Sequence, residues 1–292
     1  MHNISMEFPD CQFSRIRLFR QNISRHNIIR CMINTYKHTC FSTFPYLVYK
    51  EKSSIEAVQK YNSGNCIALS EYFMMLLKNN YNVESSLIVS SVPKLFRREG
   101  TKHICHCSVL VPINSMEFYL IDIGLQFLEP MLCSFKKNVL RSIECSDVDK
   151  NSKDNKETIE YILKQAENKY LDKGQILLND TVVVSCYFSE RPDDKWDYYL
   201  NCINNPDESI GKMYMYYKDK PFLTYFLYDP TKHNVFLKYV IKMNDDGKTF
   251  TIKKFHEEIF NGPLNDEIIR KTPLLNEIFY NELHRYFSNY II

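Results

Sequence analysis

The sequence predicts an α+β fold, and two textures that follow one another along the chain predict it. Over the first eighty or so residues, apolar side chains recur near helical spacing: Ile16, Leu18 and Phe19, then Ile28, Ile29, Met32 and Ile33. From Ser86 onward the chain changes to short β-branched and aromatic runs. Helices followed by strands is the pattern of an α+β chain. With 292 residues, 45% of them hydrophobic and 25% charged, there is enough material for one or two packed domains and a sizeable core.

The strongest helical stretch is 67–77, where Ile67, Ala68, Leu69, Tyr72, Phe73, Met74, Met75, Leu76 and Leu77 are apolar on nearly every side. A helix of that kind is buried and central. Strands are expected at 87–92, 104–111, 118–123, 176–188, 235–243 and 250–254. The charged run 146–160 is expected as a surface excursion between strands, Asp245-Asp246-Gly247 as a hairpin turn, and 274–287 as a closing helix.

Thirty-seven basic against 35 acidic residues leave a net charge of +2, so the chain has no global basic field for a phosphate backbone. No run reaches the roughly 18 apolar residues of a membrane span, and the opening residues lack a basic segment followed by an apolar one. These features lead to the expectation of a cytoplasmic protein with neither nucleic acid nor membrane as partner. In that setting the ten cysteines are read as reduced thiols, most of them core residues.

One cysteine stands apart. The segment Asn62-Ser63-Gly64-Asn65-Cys66 places Cys66 where a glycine-containing loop meets the buried helix. Unpaired N–H groups and the positive dipole end at a helix start favour the thiolate. A base and an acid to orient it are then sought. The strands 104–111 and 118–123 are separated by Pro112-Ile113-Asn114-Ser115-Met116, an ordinary hairpin length. If that loop is symmetric about Asn114, His106 lies directly opposite Asp122, within reach of an Nδ1–H to carboxylate hydrogen bond. Phe118 and Leu120 share the face of Asp122, so the carboxylate sits on an apolar side and needs a partner. Cys66, His106 and Asp122 together make a nucleophile, base and orienting acid. His103, Cys105 and Cys107 do not complete a metal site with His106, because alternation sends both cysteines to the other face and no second ligand pair follows. On the same ground Cys107 is expected to be a bystander to the chemistry.

These residues carry a resemblance to the arylamine N-acetyltransferases. The family's Arg-Gly-Gly-x-Cys motif at a helix head is similar to Asn62-Ser63-Gly64-Asn65-Cys66. Its histidine followed by hydrophobics is similar to His106-Cys107-Ser108-Val109-Leu110-Val111, and its Asp-Val/Ala-Gly-Phe-Gly to Asp122-Ile123-Gly124-Leu125-Gln126. The chain departs from the family where Asn62 and Ser63 replace the arginine and first glycine, and where Gln126 replaces the last glycine.

The resemblance implies a cysteine-protease-like core in three parts: a helical bundle over 1–85 carrying the nucleophile, an antiparallel β-barrel over 86–200 carrying the histidine and aspartate, and an α/β lid over 201–292. It implies acetyl transfer from acetyl-coenzyme A to an amine acceptor, arylamine or hydrazine-like, through an acyl-cysteine on Cys66, with no metal. It further implies that Gly100, Thr101 and Lys102, in the loop before His106, contact the phosphates of coenzyme A, and that Leu125 and Phe127 line the acceptor pocket. Transglutaminase-like and papain-like hydrolases use the same arrangement of cysteine, histidine and acid, and stand as the alternative.

Overall fold

In the computed structural model the described residues are 13–15, 18–47, 49–91, 104–127, 129–134, 140–144, 158–163, 182–187, 195–209, 222–229, 235–254, 257–263, 265 and 267. Helix α1, Arg25–His38, is capped by the Ser24 side chain, which accepts from the Asn27 N–H, and it buries Ile28, Cys31, Met32, Thr35 and Tyr36 on one stripe. After β2 (Cys40–Ser42) and the short α2 (Phe44–Leu47), helix α3 (Ser54–Tyr61) starts with Ser53 accepting from the Glu56 N–H. It stops at Asn62, which is left-handed at φ 49°. Strand β3 (Ser63–Gly64) leads at once into α4, Cys66–Tyr81. Helix α4 is the buried central helix expected from the sequence, with Ile67, Ala68, Leu69, Phe73 and Leu77 in the core, and it ends at a second left-handed asparagine, Asn82.

Two sheets hold these helices. The larger has nine strands, in the order β7 (Met131–Ser134), β6 (Glu117–Ile121), β5 (Ile104–Pro112), β4 (Ser86–Ser91), β11 (Lys195–Ile203), β10 (Val182–Tyr187), β9 (Thr158–Leu163) and β8 (Leu140–Glu144), with β1 (Phe13–Arg15) also on β11. The second has six, ordered β15 (Glu257–Gly262), β14 (Phe250–Lys254), β13 (Val235–Met243), β12 (Phe222–Asp229), β2 and β3. Among the described residues all pairings are antiparallel except the short parallel β2–β3 pair. A four-residue helix, α5 (Pro206–Ser209), follows β11.

Mixed α+β is therefore correct, but among the described residues the strands form two open sheets and do not close into the expected barrel. The first eighty residues are also less purely helical than their periodicity suggested, because β1, β2 and β3 are built into the sheets. These strands have two or three residues each, too short for the period-2 signal to register. The strands at 235–243 and 250–254 and the turn between them fall where the sequence put them, with Gly247 at φ 68°. The run 146–160 already enters β9 at Thr158. The rest of that run and the helix expected at 274–287 lie outside the described residues.

Candidate active site

The nucleophile loop is fixed from below. A Cβ on Gly64 would lie 2.9 Å from the Tyr46 hydroxyl and run into the Cβ of Ala68, so only glycine fits at this approach to α4. The Tyr46 hydroxyl accepts from the Asn65 N–H and donates to Ser54 Oγ, each at 3.1 Å. Ser54 in turn hydrogen-bonds Asp207 of α5 through its backbone N–H (2.9 Å) and its hydroxyl (2.5 Å). Asn65 caps α4, its Oδ1 accepting from the Ala68 N–H at 3.1 Å. Cys66 and Ile67, first in the helix, keep N–H groups with no acceptor inside the helix.

His106 arrives from β5. The pairing of β4 with β5 steps from Ser90↔His106 to Ser91↔Ile104, which leaves Cys105 as an extra, bulged residue beside the histidine. A bulge turns the local strand and re-aims its side chains. Its imidazole is buried, with Nε2 2.8 Å from Asp122 Oδ2. Among the described residues Nδ1 is buried without a hydrogen-bond partner, and the neighbouring Cys66 acts on the same ring. The sequence predicts Nδ1 on the carboxylate; the structure reverses the two nitrogens.

The hairpin register also differs from expectation. The ladder pairs Val109 with Ile121, Leu110 with Leu120, Val111 with Tyr119 and Pro112 with Phe118, so the turn is centred on Ser115 and the register is slipped by two residues. The turn forms late because Asn114 Oδ1 accepts from the Met116 N–H while the Ile113 N–H bonds to Glu117 O, drawing Pro112 into the strand. A slip of two preserves the face. Continued past the ladder, it sets Ser108 across from Asp122 and Gly124 across from His106. A carboxylate can still reach a diagonal neighbour.

Asp122 is wholly buried and saturated with donors. Oδ2 accepts from His106, from Ser108 Oγ (2.9 Å) and from the Tyr198 hydroxyl (2.6 Å); Oδ1 accepts from the Leu125 N–H (2.8 Å). Burial works against its charge, and the His106 imidazolium, with the hydrogen bonds from His106, Tyr198 and Leu125, outweighs that and holds the carboxyl below its ordinary value. For His106, burial opposes protonation, but the charges of Asp122 and Cys66 and the bonds to them raise its pKa to about 10. Cys66 is lowered to about 5, first by a hydrogen bond from the Cys107 thiol and, against the cost of burial, by the charge of His106, its hydrogen bond and the Cys107 backbone N–H. The pair is a thiolate and an imidazolium.

Cys107 therefore acts electrostatically on Cys66 although it lies on the other face of β5. Alternation turns its side chain away from that of His106, but α4 packs across β5 with Cys66 in reach of both residues. Burial and the neighbouring Cys66 push the Cys107 thiol well up, so it stays protonated and donates.

The turn after Asp122 completes the site. A Cβ on Gly124 would lie 2.8 Å from both Cys66 Cβ and His106 Cε1, so the bare backbone of Gly124 packs against both side chains at once. Gln126 is left-handed at φ 64° and buried, its N–H bonded to Ile123 O and its Nε2 donating to Thr224 Oγ1 of β12 at 2.9 Å. Leu125 is half-buried. Phe127 is fully buried, its ring edge-on to Tyr198 and its carbonyl accepting from the Tyr36 hydroxyl at 2.5 Å.

The structure thus brings Cys66, His106 and Asp122 together, with Leu125 and Phe127 on the same turn. Gly100, Thr101 and Lys102 lie outside the described residues. Among the described residues no group of three or more His, Cys, Asp and Glu could hold a metal ion, and no helix is long and apolar enough to cross a membrane. Sequence reasoning missed Ser108 and Tyr198. Ser108 was within its grasp, two residues from His106 on the same face; Tyr198 comes from a strand 76 residues beyond Asp122 and has no local signal.

No protein-family model and no curated protein sequence matches the chain. Solved structures do. An arylamine N-acetyltransferase from Bacillus cereus with a Cys-His-Glu catalytic triad matches at TM-score 0.50 and 13% identity, over 85% of this chain and 88% of that one. Arylamine N-acetyltransferase C from Bacillus anthracis matches at 0.51 and 14%, over 86% and 92%. The enzyme from Mycobacterium marinum matches at 0.51 and 8%, over 92% and 94%. The chain has the fold of the arylamine N-acetyltransferases.

Proposed function

We propose that the chain is an acyltransferase of the arylamine N-acetyltransferase family, moving an acetyl group from acetyl-coenzyme A to an arylamine or hydrazine-like amine by a ping-pong route. The observation that carries this reading is the buried Cys66–His106–Asp122 set at the head of a helix in this fold. The Cys66 thiolate attacks the thioester carbonyl, and the N–H groups at the head of α4 stabilise the oxyanion. The tetrahedral intermediate collapses to acyl-cysteine as the coenzyme A sulfur leaves and takes the proton from His106 Nδ1. The amine then attacks the acyl-cysteine, His106 removes its proton, and the Cys66 thiolate is restored. Asp122 holds the imidazole by Nε2 and keeps Nδ1 turned to the sulfur.

Gly100, Thr101 and Lys102 contact the coenzyme A phosphates in this reading, and Leu125, with Phe127 behind it, borders the acceptor. The test is initial-rate kinetics with acetyl-coenzyme A and a panel of arylamines and hydrazines. Parallel double-reciprocal lines are expected. Absence of acetyl transfer, together with Cys66-dependent cleavage of amide substrates, would favour the papain-like or transglutaminase-like alternative.

A further inference from the structure

The two halves of the catalytic set are carried by different sheets. Strand β3 runs directly into Cys66 and belongs to the six-stranded sheet, where Gly64 pairs with Phe41 of β2 and Phe41 pairs with Thr224 of β12. His106 lies on β5 of the nine-stranded sheet, and Asp122 follows β6 of that same sheet. The distance between nucleophile and base is therefore set both by the packing of α4 on β5 and by how the two sheets are held against each other. Gln126 crosses that gap: its backbone belongs to the turn that follows Asp122, and its side chain donates to Thr224, in register with Phe41 and through it with Gly64.

Gln126 also sits at φ 64°, where a glycine would make the same turn without a steric penalty. Backbone strain retained at a buried position beside reacting groups points to a use for the side chain. We propose that Gln126 is a positioning residue whose hydrogen bond to Thr224 locks the sheet carrying the nucleophile to the sheet carrying His106 and Asp122, seating Gly124 against Cys66 and His106. The inference rests on the acyl-cysteine reading only in taking Cys66 and His106 as the reacting pair.

The test uses the full chain and two acyl donors, acetyl-coenzyme A and 4-nitrophenyl acetate, so that failure to use coenzyme A is separated from failure of the lock. Gln126→Gly relieves the left-handed strain but empties a buried side-chain site, and Thr224→Val keeps the shape but takes this acceptor from the Gln126 amide, so each is expected to melt a few degrees below the wild type and rates are compared at a temperature where every variant is folded. Each should slow acylation of Cys66 about ten- to a hundredfold with 4-nitrophenyl acetate. Each should also move the acid limb of its pH–rate profile upward, toward an ordinary thiol. The double variant should be no slower than either single one, because both remove the same bond. Thr224→Ser, which keeps the hydroxyl, should restore the rate and the profile. Wild-type rate and profile in Gln126→Gly, losses that multiply in the double variant, or no rescue by serine would each overturn the proposal. If the wild type is acylated by 4-nitrophenyl acetate and not by acetyl-coenzyme A, the proposed donor is wrong while the lock is still tested.

Discussion

Replacing Gly124 with alanine adds one carbon at the most crowded point of the site. That carbon would lie 2.8 Å from Cys66 Cβ and from His106 Cε1, and 3.3 Å from Cys66 Cα. Carbon atoms rest about 3.5–4.0 Å apart, so each of the closer contacts falls short by about 0.7–1.2 Å. Gly124 is not left-handed, so the effect is steric and not one of backbone strain. Neither neighbour retreats freely. The imidazole is tied through Nε2 to Asp122, and Cys66 is fixed in the first turn of α4. Overpacking of this kind costs about 1–3 kcal/mol, and a displacement near 1 Å between reacting groups costs about a hundredfold in rate. Gly124→Ala is therefore expected to melt a few degrees lower and to lose about two orders of magnitude in single-turnover acylation. A wild-type acylation rate in a variant of unchanged melting temperature would refute the packing of Gly124 against the pair.

Asp122→Asn should cost stability as well as turnover. Both carboxylate oxygens face donors, so an amide NH2 on either side meets another N–H or O–H, at a cost of about 1–3 kcal/mol; a melting temperature equal to the wild type would contradict this. Acylation should rise as pH passes about 5, where Cys66 loses its proton, hold level, and fall as His106 loses its proton near 10. A single rise near pH 9 would mean no thiolate–imidazolium pair. Cys107→Val removes the donor to the Cys66 thiolate and should move the acid limb upward, whereas Cys107→Ser, which keeps a donor, should leave it close to its place. Identical profiles in the two variants would remove Cys107 from the site.

Much of the site was legible because its parts are local. The glycine-containing loop 62–65 and the apolar run behind it announced the head of α4, and strand alternation put His106 and Asp122 on one face. The register error did no harm because face depends only on parity, and the actual slip was two. What escaped needed tertiary knowledge. Tyr198 reaches Asp122 from β11, on the far side of β4 from β5, and nothing in its own neighbourhood marks it. The contact of Cys107 with Cys66 follows from the way α4 lies across β5, which no period reports. The barrel was an expectation of the resemblance, and the described strands pair instead into two open sheets, with β2 joining β12 across about 180 residues of sequence and β3 pairing with β2 beyond it.

The most direct test of the account is intact mass measurement of the protein after incubation with acetyl-coenzyme A and no acceptor, beside Cys66→Ala. One acetyl group on the wild type, none on the variant, and peptide mapping to Cys66 are predicted. Acetylation that persists in Cys66→Ala, or a wild type left unmodified while Cys66 still reacts with iodoacetamide, would contradict acyl transfer from coenzyme A through Cys66.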